Sequence, residues 1–233
     1  MLKTIPEILN KLPGYSIFLK GVLTFKNQEY YIAGGAIRDL ILNKSSNIKD
    51  IDIFVTQDIY DEVYFEKFVH YLNEFGKVEY GPYGSPRWFP NKGNLFYYDI
   101  VPYYKFNVGL GIENNINKIL NQFDFTANAI AYDIKNNILL DPIDGIKDIN
   151  NKILKAVRLD FPDSYISDKI KLSRLSALWF RFMHYSSKLN FVIEPLTLSW
   201  IKQNAHRIKE LSTFEKYFFS PTINEDLLAV IEN

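Results

Sequence analysis

Gly34 and Gly35, Arg38 with Asp39, and the alternating pair Asp50 and Asp52 fall within one stretch, YYIAGGAIRDLILNKSSNIKDIDIFV, from Tyr30 to Val55. These residue types at these spacings suit phosphate and metal chemistry. Two glycines without Cβ atoms let backbone N–H groups approach a phosphate closely, and the amides that open a helix favour an anion. Carboxylates two residues apart on a strand project from one face and can hold Mg²⁺. Each feature alone has a plain reading, since a GG turn is often a tight connection and a D-x-D pair a solvated strand edge. Their combination is what points to a nucleotide- and metal-binding site.

The elements that must position these groups follow from the pattern around them. Tyr30 to Ala33 reads as a strand, Gly34-Gly35 breaks it, and Ala36 to Leu42 has helical spacing. Residues 47–49 lead into a second strand, Asp50 to Val55, with Asp50 and Asp52 on one side and Ile51 and Ile53 on the other. Upstream, Met1 to Leu12 reads as a short helix stopped by Pro13-Gly14, and Tyr15 to Leu23 suits a helix or a strand. Downstream, Asp58 can cap a helix running to about Phe75 on Val63, Phe65, Phe68, Val69 and Leu72. Lys77 to Tyr80 reads as a strand, followed by a Gly- and Pro-dense loop, GPYGSPRWFPNKGN. That loop either lies on the surface or forms a lid in which Arg87 reaches a phosphate and Trp88 stacks on a base. Leu95 to Pro102 is a strong strand signal enclosing Asp99, a carboxylate that needs a cation or hydrogen-bond donors there. A helix is possible from Glu113, and helical segments are expected from Ser164 to about Lys188 and from Asn190 to Ile208.

The chain has 233 residues, with 27 Lys and Arg balancing 27 Asp and Glu, so net charge alone indicates no nucleic-acid partner. The distribution is more informative. Between Lys152 and Tyr217 twelve Lys and Arg face six Asp and Glu, a basic part that suits either RNA phosphates or a solvated helical surface. Cysteine is absent, which excludes a disulfide partner, a thiolate zinc site and a cysteine nucleophile. No apolar run is long enough to span a bilayer and the first residues lack a signal-peptide core, so no membrane partner is expected and the location is expected to be cytoplasmic. His70, His184 and His206 have no visible ligand partners and read as ordinary surface or half-buried residues.

The order strand, GG, helix with Arg-Asp, then D-x-D resembles the head of class II tRNA nucleotidyltransferases, the CCA-adding enzymes and bacterial poly(A) polymerases, within the polymerase beta-like superfamily. Later segments continue that resemblance in order. A carboxylate on the neighbouring strand of that family implies Asp99 as the third member of a catalytic, metal-binding cluster with Asp50 and Asp52. QFDFTANA, from Gln122, is similar to the family's R-R-D-x-T-x-N-A segment, which implies sugar and triphosphate contacts for Asp124 and Asn128. Gln122 and Phe123 stand where the family has two arginines, so charge-assisted phosphate contacts are missing there. Asp124, Thr126 and Asn128 also suit local capping of a turn. LLDPIDGIKD resembles the lead-in to the last head strand, and Asp141, Asp144 and Asp148 carry no implied role. The base-reading E-D-x-x-R motif and its following arginine correspond to Ser167, Asp168, Lys171 and Arg174. On a helix, 167, 171 and 174 share one face, although a surface ion pair from Asp168 to Lys171 or Lys169 competes with that reading.

The resemblance implies an α/β (α+β) fold: a nucleotidyltransferase head with a mixed sheet over residues 1–157 and a small helical neck-like domain over residues 158–233. It implies an enzyme that transfers a nucleotide from an NTP to an RNA 3′ end, tRNA above all, with release of pyrophosphate. Asp50, Asp52 and Asp99 would serve two Mg²⁺ ions, Gly34, Gly35 and Arg38 would hold the triphosphate, and Asp168, Lys171 and Arg174 would face the base. The alternatives are transfer to a small-molecule or protein hydroxyl, and a non-catalytic module that binds RNA or another partner.

Overall fold

The computed structural model describes residues 4–57, 62–91 and 95–232. They fold as two compact units, the first comprising Met1–Asn107, Ile112–Leu120 and Ile130–Pro142, the second Val108–Gly111, Asn121–Ala129 and Ile143–Asn233. Residues 143–157, assigned above to the head, therefore pack with the second unit.

The first unit contains α1 (Thr4–Leu9), α2 (Tyr15–Thr24), β1 (Gln28–Ala33), α3 (Gly35–Ile41), β2 (Asp50–Gln57), α4 (Glu62–Glu74), β3 (Lys77–Tyr80), β4 (Pro86–Phe89), β5 (Tyr97–Pro102), α5 (Ile116–Leu120), β6 (Ala131–Asp133) and β7 (Ile138–Leu140). Its strands form one seven-stranded sheet in the order β3-β4-β5-β2-β1-β6-β7. The sheet is mixed, as the resemblance implies: β2 and β5 run parallel and the other neighbours antiparallel.

Alternation along the strands sorts the side chains into two faces. One carries Tyr30, Ile32, Ile51, Ile53, Trp88, Tyr98 and Ile100, all fully buried. Helices α2 and α4 cover this face, with the Phe18 ring stacked 5.2 Å from Tyr98 and the Phe68 ring 4.9 Å from Tyr30. Each such side chain contributes about 1.5–3 kcal/mol by leaving water. The segment from Tyr15 is a helix because Tyr15, Phe18 and Val22 recur at helical spacing and all are buried. The expected cap Asp58 lies outside the described residues, and the helix expected from Glu113 starts at Ile116.

The loop expected over residues 81–94 is corrected by β4. Pro86 occupies the first position of that strand, where its missing N–H is tolerated. Alternation then turns Trp88 into the core, 5.3 Å from the Tyr98 ring, so its indole is not available to stack on a base. Arg87 points to the opposite face.

The second unit contains α6 (Gly145–Asn150), β8 (Ile153–Leu154), α7 (Arg174–Leu189), β9 (Val192–Ile193), α8 (Pro195–Gln203), α9 (Leu211–Tyr217) and α10 (Glu225–Glu232). Strand β8, expected to close the head sheet, instead pairs in parallel with β9. The long helix α7 buries Trp179, Phe180, Phe182 and Met183. Trp179 Nε1 donates to the Ile201 carbonyl at 3.0 Å, and the Phe180 ring lies 4.8 Å from Phe214. The Glu194 side chain caps α8, with Pro195 at its first position.

The helix expected from Ser164 begins only at Arg174, with Ser173 as its N-cap. Before it the chain doubles back: Tyr165 bridges to Ser173, Ile166 N donates to the Leu172 carbonyl, and Ser167 and Ile170 close a turn between them. Ser167 drives this locally, because its Oγ accepts from Ile170 N at 3.1 Å and so offers the backbone an alternative to a helix. Among the described residues no helix is long and apolar enough to cross a membrane.

Candidate active site

The face of the sheet opposite α2 and α4 carries the carboxylates. Strand pairing places Asp52 of β2 opposite Asp99 of β5, and Asp99 in turn opposite Arg87 of β4. On the other side Asp52 pairs with Ala33, and Ala33 with Ala131. One row across the sheet therefore reads Arg87, Asp99, Asp52, Ala33, Ala131, with side chains on a common face. Two residues along, Asp50 pairs with Tyr97 and shares that face. Asp50 is exposed, Asp52 half-buried and Asp99 buried.

The charges in this row are connected. Asp99 accepts from Ser85 Oγ at 2.5 Å through Oδ1 and from Arg87 Nε at 3.0 Å through Oδ2. The Arg87 guanidinium also lies over the Tyr97 ring, 4.9 Å from its centre, and the Tyr97 hydroxyl donates to Asp50 Oδ2 at 2.9 Å. Burial works against the Arg87 charge, but the hydrogen bond and charge of Asp99, then Tyr97 and Asp50, outweigh it and hold the guanidinium above its ordinary value. Burial and then the Asp50 carboxylate push the Tyr97 phenol well above its usual range. Tyr97 therefore remains a hydrogen-bond donor throughout the working pH range.

Among the described residues no group of three or more His, Asp or Glu side chains is gathered so as to hold a metal ion. The donor chemistry of Asp50 and Asp52 nevertheless fits a hard divalent cation, as two carboxylates on one face of one strand. Asp99 sits opposite Asp52, but each of its oxygens already has a protein donor. Ser85 and Arg87 are the partners that sequence reasoning did not assign to it. The only signal was the need of a buried carboxylate for a cation or donors.

Gly34 has φ 81° and ψ −143°, a conformation open to glycine and strained for other residues. It turns the chain from β1 into α3, at the end of the strand that pairs with Asp52. Arg38 is buried, and its Nη2 and Nε lie 2.8 and 2.9 Å from Asp39 Oδ1. Its guanidinium is thus anchored to the adjacent carboxylate.

In the second unit, Asp124 is gripped by Arg181, whose Nη2 and Nε lie 2.6 and 2.7 Å from Oδ2. Oδ1 accepts from the Phe125 amide at 2.9 Å and from Asn128 Nδ2 at 3.2 Å, so the local capping arrangement is present. Thr126 donates to Asp148 Oδ2 at 2.7 Å. Gln122, standing at a missing arginine, is buried and donates to the Gly111 carbonyl at 3.2 Å. The guanidinium beside Asp124 comes instead from Arg181 on α7, 57 residues away in sequence, and no local pattern announced it. Of the four base-facing positions only Arg174 lies on a helix. Asp168 is fully exposed and 3.7 Å from Lys171, which also lies over the Tyr165 ring, while Arg174 Nη1 donates to the Ile166 carbonyl at 3.0 Å. The shared helical face expected for Ser167, Lys171 and Arg174 does not form, and the ion pair does.

A profile of the Gabija anti-defense 2 family (Gad2) matches residues 5–152, well over half of the chain. The chain belongs to the Gabija anti-defense 2 family. This family member is also 30% identical over 182 residues to the CCA-adding enzyme of Francisella tularensis subsp. novicida, covering 75% of this chain and 44% of that enzyme. It is 27% identical over 221 residues to the CCA-adding enzyme of Lactobacillus helveticus, covering 88% and 49%. Among solved structures, a CCA-adding enzyme complexed with ATP superposes with a TM-score of 0.64 at 22% identity, over 91% of this chain and 47% of that one. The Thermotoga maritima CCA-adding enzyme with tRNA gives 0.63 at 22% identity, over 93% and 51%. The resemblance to CCA-adding nucleotidyltransferases read from the motifs is thereby borne out, and so is the fold. The chain spans about half the length of the curated relatives it matches.

Proposed function

We propose that this protein is a metal-dependent nucleotidyltransferase that adds a nucleotide from an NTP to an RNA 3′ end, with tRNA as the acceptor and release of pyrophosphate. The observation that carries the reading is the row of carboxylates, Asp50, Asp52 and Asp99, on one face of adjacent strands beside the Gly34 turn. The similarity to CCA-adding enzymes, one of them complexed with ATP and another with tRNA, supports it. In the reaction the acceptor hydroxyl oxygen forms a bond to the α-phosphorus, the bond to the β-phosphate's bridging oxygen breaks, and pyrophosphate leaves with that electron pair. The hydroxyl proton passes to solvent, so no protein nucleophile is needed.

Asp50 and Asp52, with Asp99 as a third carboxylate, would hold two Mg²⁺ ions, which lower the pKa of a bound hydroxyl and neutralise charge on a leaving phosphate. Tyr97, a permanent donor to Asp50, orients that carboxylate. Gly34 and Gly35 would offer backbone amides to the triphosphate, and Arg38, paired with Asp39, would help to hold it. The reading implies a cytoplasmic site of action, where tRNA is found.

Membership of the Gabija anti-defense 2 family favours a second reading in which the same chemistry acts on a protein or small-molecule hydroxyl, or a non-catalytic surface binds a partner. Pyrophosphate release tests the chemistry first. Each of the four NTPs is incubated with Mg²⁺ and total tRNA, with wild type and with Asp50→Asn/Asp52→Asn. RNA-dependent pyrophosphate from the wild type alone supports the reading, and equal release from both proteins, or none from either, overturns it.

A further inference from the structure

Arg87 is the one charged group in the carboxylate row that the reaction described above does not use. Its position is set by the sheet: β4 and β5 pair Arg87 with Asp99, and β5 and β2 pair Asp99 with Asp52. It donates through Nε to Asp99 Oδ2, while its two Nη groups donate to no described residue. The guanidinium is 29% exposed and the Asp99 carboxylate 13%. This is a cation held by a carboxylate and over the Tyr97 ring, with its Nη groups left to take another acceptor. Arg87 and Ser85 together give each oxygen of Asp99 a donor.

We propose that Arg87 couples metal binding to NTP binding, holding Asp99 in the free protein and releasing it when its guanidinium moves to the triphosphate. The inference rests on the nucleotidyltransferase reading and adds a positioning residue to it. Two physical facts support it. A guanidinium and a divalent cation at the same carboxylate repel each other, so Asp99 joins Asp50 and Asp52 more readily as Arg87 withdraws. A buried carboxylate left without its cation is costly, so Arg87 leaves only when another positive charge arrives. The triphosphate completes the exchange, because the planar fork suits phosphate oxygens as well as it suits a carboxylate. Linkage then requires the converse, that NTP and metal each strengthen binding of the other by the same factor.

The test is a Mn²⁺ titration of the full chain followed by electron paramagnetic resonance, without acceptor RNA, with and without a mixture of the four NTPs. For the wild type, NTP is expected to tighten Mn²⁺ binding about tenfold beyond the Mn²⁺ held by free NTP, within the ~5–150-fold range of coupled sites. Arg87→Met is expected to bind Mn²⁺ more tightly than wild type without NTP and to lose most of the NTP effect. Arg87→Lys, which keeps the charge and lacks the fork, is expected to bind Mn²⁺ alone as weakly as wild type. Should Arg87→Met disturb folding, Ser85→Ala provides a second variant, since loosening the other donor should also raise affinity for Mn²⁺ alone. Unchanged Mn²⁺ affinity in both Arg87→Met and Ser85→Ala, with an intact NTP effect, overturns the coupling and leaves the nucleotidyltransferase reading standing. Absence of any Mn²⁺ site that Asp50→Asn/Asp52→Asn removes overturns both.

Discussion

Arg87 in the first unit and Arg207 in the second are both paired with an aspartate, yet their surroundings differ in a way that separates a movable cation from a fixed one. Arg207 uses every arm of its guanidinium. Nη2 donates to Asp163 Oδ2 at 2.8 Å, Nη1 to Ser176 Oγ at 3.0 Å and Ser173 Oγ at 3.1 Å, and Nε to Asn204 Oδ1 at 2.9 Å. Ser176 passes the network on to Glu210 at 2.6 Å. Arg207 is also buried, whereas Arg87 is half-buried and uses one arm. A saturated guanidinium can leave only by breaking several hydrogen bonds at once, so it serves as a structural fixture. A guanidinium with one bond can exchange partners, as a phosphate-binding residue must.

The comparison can be broken in several ways. The largest effect is expected on activity from Asp52→Asn, which should reduce turnover at least about a hundredfold, the scale of losing one group that stabilises charge in the transition state. Initial-rate measurements of pyrophosphate release check it. Arg207→Met should destabilise the protein by about 3 kcal/mol in urea unfolding, because it removes all the hydrogen bonds of a buried guanidinium at once. Arg87→Met should also be destabilised without divalent ions, by about 1–3 kcal/mol. Mn²⁺ should restore only Arg87→Met, since only its stranded carboxylate has two neighbouring carboxylates with which to share a cation. Equal rescue of both variants, or of neither, would erase the distinction between the two arginines.

A smaller effect concerns pH. The Arg207 hydrogen bond, then that of Ser173, holds the Asp163 carboxyl below its ordinary range. A folded pKa below the unfolded one means that the contribution to stability is complete above about pH 4, the unfolded value, and is lost as pH falls through the lower folded value. Stability of the wild type should therefore decline below about pH 4 more steeply than that of Arg207→Met. Asp168→Ala should change stability by less than about 0.5 kcal/mol, because the Asp168–Lys171 pair is exposed.

These regions also differ in how far they could be read from sequence. The geometry of Asp50 and Asp52 was legible because a strand fixes its period at two, so spacing alone places both on one face. The Gly34 turn was legible because its positive φ asks for glycine. The pairing of Asp99 with Arg87 was not, because register between β4 and β5 is a tertiary fact and the Gly and Pro around β4 look like loop. Ser167, Asp168 and Lys171 were misplaced on a helix because spacing has meaning only where backbone is periodic, and Ser167 diverts the backbone into a turn instead. Arg181 reaches Asp124 across 57 residues, a distance over which local pattern carries no information. The fold was thus readable where periodicity ruled, and the partners of the charged groups were not.

The most direct test of the nucleotidyltransferase account is to follow the label itself. The full chain is incubated with each α-labelled NTP, Mg²⁺ and total tRNA, and the label is resolved among RNA 3′ ends, protein and small molecules. The account predicts one or two labelled nucleotides at RNA 3′ ends, absent with Asp50→Asn/Asp52→Asn. Label found only on protein or on a small molecule would contradict the RNA acceptor, and label transferred equally by the double variant would contradict the carboxylate row as the site of chemistry.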